Sequence, residues 1–154
     1  MIESPRIVQT EAVPIASIHV VVPREKIREV MGPGIGEVMS TLAAQGIAPA
    51  GAWLTHHRRM VPDVFDFEIA VPVTRAVQPA GRVVPGTLRA ARVARTIYHG
   101  PYEGLGAAWG EFEEWLKVNG HTGTEDLWEQ YLVGPESGPD GAAYRTELNH
   151  PLAG

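Results

Sequence analysis

The sequence predicts an α+β fold: a tandem pseudo-two-fold repeat of strand, helix, strand and strand, whose antiparallel sheet carries two long helices on one face. Two observations predict it. The first is a pair of matching apolar helix stripes: Met31, Ile35, Val38, Leu42 and Gly46 answer Leu105, Trp109, Phe112, Leu116 and Gly120 at one constant offset of 74 residues. The second is that the match runs on past the helices. "GAWLTHH" aligns with "DLWEQYL", Trp53 opposite Trp128, and "FDFEIAVPV" with "YRTELNHPL", Glu68 opposite Glu147 and Pro72 opposite Pro151. Residues 1–154 then form one domain, with repeat one at about 5–75 and repeat two at about 82–152.

Each element follows from local chemistry. "SIHVVV" and "RVARTIYH" are rich in β-branched residues and enter the two helices as strands. The first helix is ended by Gly46 and the second by Gly120, glycines placed where a helix turns left-handed to close. Glu111, Glu113, Glu114 and Lys117 fall mostly outside the apolar stripe of the second helix, which leaves Trp109 and Trp115 facing the core. "FDFEIAVPV" alternates, with Phe65, Phe67, Ile69 and Val71 on one side and Asp66, Glu68 and Ala70 on the other. Pro79, Gly81, Pro85 and Gly86 mark the stretch between the halves as a connector.

Composition narrows the function. The net charge of −5 and pI near 5.6 argue against direct nucleic-acid binding, which needs a basic face. With no cysteine there is neither a disulfide nor a thiolate metal site, which fits a cytoplasmic protein. "MIESPRIVQTEAVPIASIHVVV" has no basic segment before an apolar run and reads as no signal peptide, and no apolar stretch is long enough for a membrane span. "YHGPYEGLGAAWGEFEEWLKVNG" suggests a phosphate cradle, but Trp109 fills the third glycine position of a dinucleotide fingerprint, and no G-x-x-x-x-G-K-[ST] occurs. No cofactor is expected.

Tyr98-His99-Gly100-Pro101-Tyr102, followed by Leu105, Trp109 and "WLKVNG", then "WEQYLVGP" and "TELNHPL", resembles the GyrI-like small-molecule-binding family. Its members are effector-binding domains that occur alone or behind the helix-turn-helix of multidrug-responsive regulators. The resemblance is most specific over residues 98–151. It implies a ligand cleft between the two repeats, on the sheet face away from the helices. It also gives the opening glycines a role in the turn and in helix packing, Gly100-Pro101 starting the second helix. All 154 residues are taken by the duplicated domain, so a DNA-binding module is not expected within them.

The resemblance implies that Glu147, the glutamate of the T-E-L segment, lies in the cleft and pairs with cationic ligands. Its repeat mate Glu68 sits in an apolar run and projects from the related strand. A carboxylate in such surroundings attracts a cation or holds a raised pKa; the alternative for Glu147 is a surface salt bridge. Glu129 and Tyr131 share one side of "LWEQYLV", Trp128 and Gln130 the other. The resemblance puts that strand in the cleft wall, making Glu129 and Tyr131 candidates, with Trp128 and Trp53 as core or wall and Tyr98 on the floor. His56-His57-Arg58-Arg59 reads as a solvated basic edge rather than a metal site, because adjacent strand residues point to opposite faces. His99 and His121 fall at turns, and His19 and His150 lie in strands without partners by spacing. No metal is expected, and no serine has a G-x-S-x-G context.

Two functions from different classes use these residues. One is the binding of small lipophilic aromatic or cationic toxins, for sequestration or sensing, by a monomer or homodimer. The other is hydrolysis of reactive molecules such as cyclopropane-bearing genotoxins, with Glu147 or Glu129 moving a proton and Tyr131 or Tyr98 donating to the opened group.

Overall fold

The computed structural model describes residues 2–138 and 141–153 and contains eight strands and two α-helices. They are β1 (Arg6–Gln9), β2 (Val13–Pro23), α1 (Ile27–Ala44), β3 (Leu54–Met60), β4 (Val64–Pro72), β5 (Val84–Leu88), β6 (Arg92–His99), α2 (Leu105–Val118), β7 (Leu127–Val133) and β8 (Arg145–Pro151). The fold is α+β with antiparallel strands, as expected.

The chain divides into two compact units, Glu11–Ala90 and Met1–Thr10 with Ala91–Gly154. In the first unit the strand order is β3-β4-β2-β5 and α1 joins β2 to β3; in the second it is β1-β6-β8-β7 and α2 joins β6 to β7. In chain order the first unit runs β2, α1, β3, β4, β5, so that Pro85 and Gly86 lie in a strand rather than a connector, and the second runs β1, β6, α2, β7, β8. The glutamates matched in the sequence sit one strand register apart from the matched tryptophans: Glu68 pairs with His56, three residues after Trp53, whereas Glu147 pairs with Gln130, two residues after Trp128.

Both helices close as their terminal glycines require. Gly46 (φ 66°) and Gly120 (φ 75°) are left-handed, and the next residue's N–H reaches back across the last turn, Ile47 to the Leu42 carbonyl (2.9 Å) and His121 to that of Leu116 (2.8 Å). The helices differ in how they are sustained. α1 reads "MGPGIG" at its centre, and Pro33 deprives it of an internal N–H while the glycines lower its intrinsic propensity. Packing compensates: Val38 and Leu42 bury against Ile18, Phe67, Ile69 and Val71, each such side chain contributing about 1.5–3 kcal/mol. Gly34 lets α1 come this close, since a β-carbon there would run into Ile69. α2 buries Ala108, Phe112 and Leu116 against Ala94, Tyr98 and Leu148.

The N-terminal segment is donated to the second unit. β1 pairs with β6, the Glu3 N–H donates to the Ile97 carbonyl (2.9 Å), and the Glu3 carbonyl accepts from the Thr96 hydroxyl (2.7 Å). Thr10 closes the pairing by exchanging bonds with Ala91 (3.1 and 3.0 Å). Among the described residues no helix is long and apolar enough to cross a membrane.

Candidate functional site

Strand alternation sorts the predicted site residues. Leu148 faces α2, and its cross-strand neighbours Thr96 and Glu129 share that face, as do Tyr98, Thr146 and Tyr131, which pair in a row. Glu147, Asn149, Gln130 and Trp128 therefore lie on the opposite face. The structure thus brings Glu129, Tyr131 and Tyr98 together under α2, on the helix face rather than the open face where the cleft was expected, and separates them from Glu147 and Trp128.

Glu129 is the centre of the first group. Trp109 of α2 donates its indole N–H to Oε2 at 2.6 Å, and the Tyr131 hydroxyl donates to Oε1 at 2.8 Å. The residue is half-buried, with its carboxyl end between these two rings. Burial pushes the carboxyl above its ordinary pKa, and the two hydrogen bonds only partly oppose this. Among the described residues no lysine, arginine or histidine pairs with it, so the carboxyl has two neutral donors and no countercharge.

Two residues that the sequence analysis did not single out extend this wall. Tyr102 packs edge-on to Tyr131 (ring centroids 5.9 Å apart) and tilted against Tyr144 (4.9 Å). Burial first, then the charges of Tyr144, Glu136 and Glu129, push the Tyr102 phenol up to about 12, so it stays a neutral donor. Tyr102 belongs to the H-G-P-Y turn, a signal that was available; Tyr144 enters from a loop far along the chain, and nothing local marks it.

Tyr98 supports the site rather than lining it. Its ring is buried and its hydroxyl donates to the Pro101 carbonyl at 2.8 Å, bracing the turn that starts α2. Gly100 and Gly104 leave room for that ring, because a β-carbon at either would press on the Tyr98 hydroxyl.

Glu147 is paired within its own face: Arg95 Nε lies 3.4 Å away and the Asn149 amide donates to it at 3.2 Å. Trp128 is buried, and Trp53 packs against the α1 core. Glu68 accepts from His56 Nδ1 (3.1 Å), Arg58 (3.1 Å) and the Ser17 hydroxyl (3.4 Å). Three expectations about histidines are corrected here. His57 is not part of a solvated edge: β3 alternation turns it under α1, where it stacks on Phe67 (5.1 Å) and burial lowers its pKa to about 4. His19 and His150 both have partners, Asp66 at 2.6 Å and Glu113 at 2.8 Å, supplied by other elements and so invisible to spacing along one strand. Among the described residues no three His, Asp or Glu side chains are placed to hold a metal.

The Glu68 cluster makes a pH prediction. The hydrogen bond from His56 chiefly, and that from Arg58, hold the Glu68 carboxyl below its ordinary range against the opposing effect of burial. A depressed carboxylate contributes stability that is present above its unfolded pKa and is lost as the pH falls through its folded pKa. Glu68→Gln should therefore cost about 1–2 kcal/mol at neutral pH. In parallel urea titrations the gap to the parent protein should close as the pH drops below the carboxylate range; a gap independent of pH would refute this.

Comparison with known proteins fixes the family. The model of the GyrI-like small molecule binding domain matches residues 3–152. The chain belongs to this family. No curated protein matches it. Among solved structures it resembles the EcmrR C-terminal domain (TM-score 0.83, 21% identity, 97% of each chain covered). It spans 57% of the EcmrR chain in a DNA complex, also at TM-score 0.83 and 21% identity over 97% of this chain. It is also similar to SAV2435 bound to tetraphenylphosphonium (TM-score 0.67, 12% identity, 99% of this chain and 95% of that one). A hydrolase from Listeria innocua has TM-score 0.66 and 10% identity over 97% of this chain and 91% of that one. At these identities the likeness is one of fold. The GyrI-like assignment carries small-molecule binding in general.

Proposed function

We propose that this GyrI-like domain binds small lipophilic cations at Glu129, with Trp109, Tyr131 and Tyr102 as its aromatic surround, and serves to sequester or sense toxic molecules in the cytoplasm. The observation that carries the reading is the Glu129 carboxyl: half-buried among aromatic rings, held by two neutral donors, raised in pKa by desolvation, and without a countercharge among the described residues. Such a group is costly to ionise alone, and a bound cation supplies the missing charge. Aromatic faces add attraction for a desolvated cation of about 2 kcal/mol. The fold likeness to SAV2435, which holds tetraphenylphosphonium, supports the ligand class.

A second reading rests on the same pair. A glutamic acid of raised pKa beside a phenol 2.8 Å away is the arrangement that passes a proton to a strained ring while water adds. The likeness to a Listeria innocua hydrolase supports keeping it.

Titrating the protein with tetraphenylphosphonium should quench tryptophan emission saturably, since Trp109 touches the carboxyl, and a neutral aromatic analogue such as triphenylphosphine oxide should bind at least about tenfold more weakly. Equal affinities would remove Glu129 from the recognition model. Mass spectrometry of cyclopropane-bearing electrophiles incubated with the protein separates the two readings: ring-opened, water-added product supports the hydrolase, and unchanged compound supports the binder.

A further inference from the structure

We propose that His150 is a positioning residue for the Glu129 site, holding the Trp109 ring so that its indole N–H stays aimed at the carboxyl. This rests on the reading of Glu129 as the binding group. Trp109 is engaged twice. Its N–H edge donates to Glu129 at 2.6 Å, and its ring also packs T-shaped with the His150 ring, with centroids 6.1 Å apart and planes at 76°. His150 is itself clamped. Its Nε2 donates to the Thr124 carbonyl at 3.0 Å, and its Nδ1 lies 2.8 Å from Glu113 Oε1, an ion-pair contact bent from the hydrogen-bond line. Gly123 closes the back of the ring, where a β-carbon would collide with the imidazole. Glu113 follows Trp109 by one helical turn, so one face of α2 presents both the indole and the acid to the same histidine.

The charged groups facing His150 are Glu113 from α2 and Asp126 from the loop before β7, and its neighbour on β6 is the apolar Ala94. Burial works against its charge, but the contact from Glu113, the Thr124 carbonyl and the two acids outweigh burial and raise its pKa. The imidazolium donates from Nε2 to Thr124 and sets its positive charge against Glu113. Once deprotonated it loses that charge, and its hold on Glu113 lapses. The aim of Trp109 then depends on pH through a residue that never touches the ligand.

The test begins without ligand. In nitrogen-15 NMR spectra the Trp109 indole N–H should shift upfield and exchange faster as the pH rises through the His150 titration. Glu113→Gln, an exposed and mild change, should move that midpoint to lower pH, and His150→Gln, which keeps a donor for Thr124, should abolish this step while leaving the separate response of the indole to the Glu129 carboxyl it bonds. Tetraphenylphosphonium titrations form the second arm. Affinity should fall about 5- to 20-fold across the same midpoint and shift with Glu113→Gln, the range expected when a residue acts through another. An indole signal that lacks the His150 step or is indifferent to Glu113→Gln overturns the proposal. If the indole signal follows His150 while no cation binds, the positioning role stands and the cation reading fails.

Discussion

Glu129→Gln should lower the affinity for tetraphenylphosphonium roughly 10- to 100-fold while leaving the fold intact. Glutamine is a close replacement here because of what surrounds it. Its carbonyl oxygen accepts the Trp109 N–H and its amide donates to the Tyr131 hydroxyl, which can reverse its role. What disappears is the negative charge, and a desolvated charge partner is worth about 1–3 kcal/mol. Stability should move the other way. Because burial raises the Glu129 carboxyl, its ionisation costs folding energy as the pH rises through the raised value, and removing the charge should add about 1 kcal/mol at neutral pH. In the parent protein, cation affinity should climb with pH through the same titration, and in Glu129→Gln this acid limb should vanish. Isothermal titration and thermal melts across pH read both effects. Unchanged affinity in a folded variant would remove Glu129 as the anion. If catalysis operates, turnover should fall much further than binding, since an amide cannot shuttle the proton.

The largest effect on stability should come from Gly104→Ala, at about 2–4 kcal/mol. The backbone there is ordinary right-handed helix (φ −87°, ψ −3°), so the cost is one of space alone. The new methyl would occupy the position of the Tyr98 hydroxyl, forcing that ring off its bond to the Pro101 carbonyl at 2.8 Å and loosening the turn into α2. The double variant with Tyr98→Phe provides the control. Removing the oxygen costs about 1 kcal/mol alone, yet in the Gly104→Ala background it should restore part of the loss. Strictly additive losses in chemical denaturation would show that the clash lies elsewhere.

What the sequence revealed and what it hid follow from distance along the chain. The α2 stripe, both left-handed terminal glycines and the shared side of Glu129 and Tyr131 are periodic features within a few residues, and the structure places them as read. Arg95 beside Glu147, His19 beside Asp66 and Tyr144 beside Tyr102 come from separate elements, and no local pattern marks them. Trp109 was legible only in part. Its place on the apolar stripe predicted a core role, and its rings do pack there, but an indole also carries a donor, and that N–H is what ties the helix to the candidate site.

The strand Arg6–Gln9 affects how this polypeptide can be divided. Cutting in the connector yields no pair of self-sufficient halves. A fragment beginning at residue 91 lacks β1, which leaves the outer edge of β6 with unsatisfied backbone groups that will pair with any extended chain. A synthetic peptide of residues 1–10 should rescue such a fragment in trans and suppress its aggregation. By the same logic, β6 of one molecule offers β1 of another the same pairing edge, and a strand-exchanged dimer is the expected form of any association at high concentration.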